Sequence, residues 1–210
     1  MFTNIHESAA KYLSLDVDET IFNSVYKHWQ WLTAEGKRRG WGKLPSYEDV
    51  LRAGGTHKAY GHFSGYWELN EQMRNSVDFN RDLKEISGAK KAIGLLQAIV
   101  GLYLTTRPES LAMVTKEELD KKGFPDRQVI ARPEHVPLEK TTNWKLSVLQ
   151  QLVQEWQAKL IMVDDSVSMH QAIRSLGEPL VATILFAGPM TPKGNGELGW
   201  NKIPSIVKNM

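Results

Sequence analysis

The sequence predicts an α/β protein in which a parallel sheet is covered on both faces by helices and carries a helical insertion after its first strand. Three observations lead there. Five short apolar runs alternate with stretches of helical periodicity, the pattern of parallel strands joined by crossover helices. Three of those runs end on acidic or hydroxyl residues, which is where such a sheet meets its ligands. Residues 23–85 break the alternation and contain no clear buried-strand run.

The first strand is Tyr12-Leu13-Ser14-Leu15, running into Asp16. Helical patterns follow around Val25–Lys37, Ser46–Arg52 and Tyr66–Ser76, with turns expected at Gly40-Trp41-Gly42-Lys43 and Gly54-Gly55-Thr56-His57. Gly88–Ala98 has small and apolar residues at helical spacing. It leads into a second strand, Ile99–Leu104, which ends at Thr105-Thr106-Arg107-Pro108. Ser110–Lys122 reads as a charged amphipathic helix and Gln128–Ala131 as a short strand. Thr142–Lys159 is a long helix with apolar residues at Leu146, Leu149, Leu152 and Trp156, three and four apart. Leu160–Val163 is a strand ending at Asp164-Asp165, Ser166–Leu176 a helix, and Val181–Phe186 the last strand. The expected division is a core of residues 1–22 and 86–210 and an insertion of residues 23–85.

Composition narrows the chemistry. The 210 residues suit one domain with a small insertion. There is no Cys, which excludes disulfides, thiolate metal sites and a cysteine nucleophile. Lys plus Arg is 26 against 24 for Asp plus Glu, and a net charge of +2 does not call for a nucleic acid polymer or an anionic membrane. The insertion holds 10 of the Lys and Arg against 8 of the Asp and Glu, so the whole excess sits there. Four of the seven Trp and three of the six His are there as well, which suits a lid over an anionic ligand or a small subdomain with an aromatic core. No apolar run approaches the ~18 residues of a membrane span. Met1–Ala10 has no basic stretch followed by an apolar one, so no signal peptide is expected and a cytoplasmic location is.

Four strand-end features carry the chemistry. Asp16 and Asp18 stand at and just past the first strand, where two carboxylates can hold a hard divalent cation and leave one free for covalent or proton-transfer work. Thr105 and Thr106 offer a hydroxyl and backbone N–H groups to a phosphate oxygen, or a cap to the following helix. Lys145 opens the long helix and can neutralise a phosphate. Asp164-Asp165, adjacent carboxylates at the end of an apolar run, are costly unless a cation or donors compensate, or cap the helix that follows.

Taken in order, acid–x–acid, Thr, Lys and acid–acid resemble the four-motif signature of the haloacid dehalogenase (HAD) superfamily. Asp16-Val17-Asp18-Glu19-Thr20 is similar to its first motif and Leu102-Tyr103-Leu104-Thr105 to its second. Lys145 is similar to the third, with Lys140 a rival, and Ile161-Met162-Val163-Asp164-Asp165 to the fourth. The resemblance spans residues 12 to 188. It implies a Rossmann-like three-layer core with a small helical cap inserted after the first strand, and Ile203–Lys208 as the closing helix. It implies a Mg²⁺-dependent phosphatase in which Asp16 is the nucleophile and Asp18 the general acid and base, its backbone carbonyl also ligating the metal. Thr105, Thr106 and Lys145 would bind the transferring phosphoryl, and Asp165 would ligate Mg²⁺ directly with Asp164 behind it or bridged by water. Glu19 stands where many members have Gly. The presence of Asp18 favours phosphoryl chemistry over dehalogenation.

The expected substrate is a small phosphate ester, such as a nucleotide or sugar phosphate. His28, Arg38, His57, Lys58 and His62 are the cap residues expected to read it. Gly54–His62, glycine-rich, reads as a specificity loop. Rival readings are a phosphotransferase or mutase using the same intermediate, and a binding protein on the same fold. A receiver domain fails on chain order, because its acidic pair comes first. A dinucleotide site lacks Gly-x-Gly-x-x-Gly after a strand. Oligomeric state is not legible.

Overall fold

The structure is a computed structural model that describes residues 10–177 and 180–210. Five parallel strands form one sheet: β1 (Lys11–Leu15), β2 (Val100–Pro108), β3 (Gln128–Arg132), β4 (Lys159–Asp164) and β5 (Val181–Leu185), in the order β3-β2-β1-β4-β5. The first nine residues of the expected core lie outside the described residues. With β1 central, the carboxyl ends of β2, β1 and β4 are neighbours, and these are the strand ends that carry Thr105, Asp16 and Asp164. Register brings them level: Leu15 pairs with Tyr103 on one side and Val163 on the other, and Asp16 N–H donates to Val163 O at 3.0 Å.

Alternation along the strands splits the core into two faces. Leu13, Leu15, Val100, Ile161 and Val163 pack on one side against α6 (Ala89–Leu95), α7 (Ala112–Lys121) and α10 (Ile203–Asn209). Leu102, Leu104, Leu160 and Met162 pack on the other against α8 (Thr141–Trp156) and α9 (Val167–Leu176). Layers of helix, sheet and helix result, and each fully buried aliphatic side chain contributes ~1.5–3 kcal/mol. The long helix stops at Trp156 rather than Lys159, because Gln157 turns left-handed and Lys159 begins β4. The second strand runs further than its apolar run, with a register shift between Thr105 and Pro108.

Between β1 and α6 lie α1 (Ser24–Arg38), α2 (Tyr47–Ala53), α3 (Thr56–Tyr60), α4 (Tyr66–Arg74) and α5 (Val77–Asn80). Asn23 caps α1 by accepting from Tyr26 N–H, and Ser46 with Asp49 forms a reciprocal cap on α2. The expected turn is present at Gly54 and Gly55, both at positive φ, which end α2, but the rest of the stretch expected as a specificity loop differs, since Thr56–Tyr60 forms the short helix α3. Val25, Leu32, Val50, Tyr60 and Tyr66 make a separate core for these helices, against which Met190 of the β5–α10 connection packs. The chain leaves and returns through a two-stranded neck: Phe22 bridges Glu85, Asn23 N–H donates to Lys84 O and Ile86 N–H to Ile21 O, both at 2.8 Å. No helix among the described residues is long and apolar enough to cross a membrane.

Candidate active site

The loop after β1 is fixed from three sides. Glu19 takes a left-handed conformation, φ 59°, a position where glycine costs less strain. Trp200 Nε1 donates to Thr20 O at 2.8 Å. Gly188 lies so close that a Cβ there would sit 2.6 Å from Glu19 O and 2.9 Å from Asp165 Cβ.

At the strand ends, Lys145 Nζ donates to Asp16 Oδ1 and to Asp164 Oδ2, both at 2.8 Å, with all three residues buried. Lys140, the rival lysine, is exposed at the turn before α8. Asp164 is fully engaged, because its Oδ1 also accepts Ser166 N–H at 2.8 Å. Asp165 receives no side-chain hydrogen bond among the described residues, and Asp16 has one oxygen beyond the lysine. Donor atoms of Asp16, Asp164 and Asp165 all lie within 4.8 Å of one another. Three carboxylates against one ammonium leave uncompensated negative charge. Burial, Asp164 and Asp16 raise Asp165 well above the ordinary carboxylate range. Burial lifts Asp16 to about 7, with Lys145 opposing. For Lys145 burial works against its proton, and the two aspartates outweigh it and raise its pKa. Hard oxygen donors with excess negative charge at this separation fit a divalent cation such as Mg²⁺.

Asp18 points to a different partner. Arg107, itself buried, donates from Nε and Nη2 to its two carboxylate oxygens at 2.8 and 2.6 Å, and from Nη1 to Thr115 Oγ1. Burial pushes Asp18 up, but Arg107's charge and hydrogen bonds more than reverse this and hold it below its usual value. Thr105 is fully buried, its hydroxyl accepting Arg107 N–H at 3.2 Å, while Thr106 lines the cavity above. Arg107 was legible only as a charge closing an apolar run; nothing in the sequence pointed it at Asp18. Glu19 was missed too. It is buried, its Oε1 accepts from Ser24 Oγ and Val25 N–H, both at 2.7 Å, and its Oε2 has no partner.

A cavity of about 750 Å³ lies between α1–α5 and the strand ends. Asp18, Thr106 and Arg107 form part of its wall, while Asp16, Lys145, Asp164 and Asp165 do not line it. Of the five residues expected to read the substrate, His28 and His57 line it. Burial and nearby Arg74 keep His28 neutral, down to about 3. The other three do not line it. Arg38 is exposed and paired with Glu35 at 2.6 Å, His62 stacks on Phe63 outside it, and Lys58 is exposed. Arg38 lies in the last turn of α1, Lys58 in α3 and His62 in the turn after it, all exposed. Arg74, Arg132 and Trp67 line the cavity and were not singled out in the sequence.

Solved structures share this architecture from end to end. A haloacid dehalogenase-like hydrolase, SP0104 of Streptococcus pneumoniae, superposes with a TM-score of 0.65 at 12% identity, covering 96% of this chain and 99% of that one. The fold is that of the haloacid dehalogenase-like hydrolases. A HAD-family hydrolase of Deinococcus radiodurans R1, with bound phosphate and sodium, gives 0.59 at 12% identity over 96% of this chain and 97% of that one. CbbY of Rhodobacter sphaeroides, in complex with xylulose-(1,5)bisphosphate, gives 0.56 at 14% identity over 90% and 91%. No protein-family model and no curated protein sequence matches the chain.

Proposed function

We propose that the protein is a Mg²⁺-dependent phosphomonoester hydrolase that works through an aspartyl-phosphate on Asp16. The observation that carries the reading is the Lys145 ammonium between Asp16 and Asp164, with Asp165 close enough to complete an oxygen cluster. Asp16, Asp165 and the Asp18 backbone carbonyl would hold the metal, with Asp164 behind it. When bound, Mg²⁺ supplies the positive charge that lets a phosphate dianion approach a carboxylate.

The chain's own groups divide the remaining work. An Asp16 oxygen attacks phosphorus, and the bond from phosphorus to the ester oxygen breaks. The leaving oxygen takes a proton from Asp18, which must therefore enter the cycle protonated, against the preference that Arg107 gives its ionised form. Water then attacks the aspartyl-phosphate and gives its proton to Asp18, releasing phosphate and restoring the Asp16 carboxylate. Lys145, Thr105 and the Thr106 N–H stabilise the transferring oxygens. Ionised Asp18, held by Arg107, is the form that accepts the proton from water. Residues 23–85 act as a cap over the cavity. The substrate is a small phosphorylated metabolite rather than a polymer, and a cytoplasmic site of action follows from it. The sugar bisphosphate in the CbbY complex supports that class.

The test is hydrolysis of p-nitrophenyl phosphate with Mg²⁺ and with EDTA, by the wild type and by Asp16→Asn. Expected is turnover that requires Mg²⁺ and is lost in the folded variant. Wild-type rates in Asp16→Asn would overturn the nucleophile.

A further inference from the structure

Arg107 is tied down more completely than a residue in a cavity wall needs to be. It is 4% exposed, and each of its four nitrogens has a partner. Nε donates to Asp18 Oδ2 at 2.8 Å and Nη2 to Asp18 Oδ1 at 2.6 Å, so one planar fork engages both oxygens of one carboxylate. Nη1 donates at 3.1 Å to Thr115 Oγ1 of α7, and Thr115 is fully buried. At the backbone, the register of β2 against β3 shifts between Thr105 and Pro108, and Arg107 N–H donates to the Thr105 hydroxyl at 3.2 Å. The guanidinium is thus fixed by a strand at one end and a helix at the other.

Asp18 is the less constrained partner. It stands in the loop after β1 with its side chain 26% exposed on the cavity wall. Burial opposes its ionised form, and Arg107, then Ser24 and Arg74, support it. The fork takes one lone pair from each carboxylate oxygen, and each oxygen has a second one outside it. A general base must aim such a lone pair at the water it deprotonates, and small errors of aim are costly. Lysine, a point charge, has no fork with which to set the plane of a carboxylate.

We propose that Arg107 is a positioning residue for the second half-reaction, fixing the plane of the Asp18 carboxylate so that an outer lone pair meets the attacking water. This deepens the phosphatase reading and rests on it. In that step the water oxygen bonds to phosphorus and the bond from phosphorus to the Asp16 oxygen breaks. Its electron pair returns to the Asp16 carboxylate, and one water proton passes to Asp18. The first half-reaction asks Asp18 for a proton instead, so the fork serves the second step and not the first.

The test separates the two steps. p-Nitrophenolate is a weak base that leaves with little need of a proton, so its release reports the first step and release of inorganic phosphate the second. Both are followed in single turnovers of p-nitrophenyl phosphate, with enzyme in excess and Mg²⁺ present, for the wild type, Arg107→Met and Arg107→Lys. Circular dichroism melting checks that each variant folds, and Arg107→Lys, which keeps the buried charge, decides alone if Arg107→Met does not. Expected in both variants is nitrophenolate release within about threefold of wild type and phosphate release slower by at least about tenfold. Equal slowing of the two, or phosphate release at the wild-type rate in either variant, overturns the positioning role and leaves the phosphatase reading standing. A wild type that releases no nitrophenolate overturns both.

Discussion

Lys145 sits between two buried carboxylates, and each residue depends on the others for its charge. Lys145→Met would strand Asp16 and Asp164 together, which costs roughly 3–5 kcal/mol when a buried pair loses one partner. Urea unfolding of the metal-free protein at pH 7 measures that loss; an unchanged midpoint would contradict the pairing. Glu19 offers a test in pH. Burial, the largest influence, lifts its carboxyl from 4.5 to about 7. Between those values the folded protein keeps a proton that the unfolded chain releases, so wild-type stability falls as pH rises through the window. Glu19→Gln has no such proton. Its stability relative to wild type should therefore rise from pH 4.5 to 7 and level off above, and a difference flat across that range would contradict the burial. Asp16, Lys145 and Asp164 were legible because each flanks an apolar run or opens a helix of clear period. Arg107, Arg74 and Arg132 were not, because a long side chain's destination is set by the fold and not by its neighbours in sequence.

At the scale of elements, local pattern was a good guide wherever burial has a simple period. The strands and the longer helices follow their apolar spacing to within a few residues. At Gly54 and Gly55 it found the turn but not the short helix α3 that begins directly after it. It failed for Arg38, where charge suggested a role that the outward face of α1 denies. Arg38→Ala removes an exposed, solvent-screened ion pair and should leave kcat/KM for every phosphoester within twofold. A selective loss on one substrate would return the residue to the site. The β5–α10 connection is the opposite case, since Gly188 touches the loop that carries Asp18. In Gly188→Ala the new methyl meets a backbone oxygen that cannot rotate away. We expect roughly 1–3 kcal/mol of destabilisation together with a lower kcat, read by thermal melting and p-nitrophenyl phosphate turnover. Wild-type values in both would show that the loop is looser than its geometry.

For the whole molecule, the strand order does the assembling. Residues 16, 105 and 164 are far apart in sequence and meet because β2, β1 and β4 are adjacent and parallel. The alternation of runs made that sheet legible, but which strands neighbour one another was not legible, because spacing along the chain does not fix where each crossover returns. That Arg74 and Arg132 line one cavity was illegible for the same reason, since it joins α4 to β3. Replacing residues 27–80 by a short Gly-Ser linker should leave a cooperatively folding core, because the insertion's apolar core is separate from the two that cover the sheet. A broad or absent melting transition would show the cores to be interdependent. The neck itself has a meaning for history. Chain entry and chain exit are hydrogen-bonded neighbours, so a segment of any length can be spliced between them without moving a strand. A gene built this way can exchange the inserted segment while inheriting the sheet and its strand ends intact.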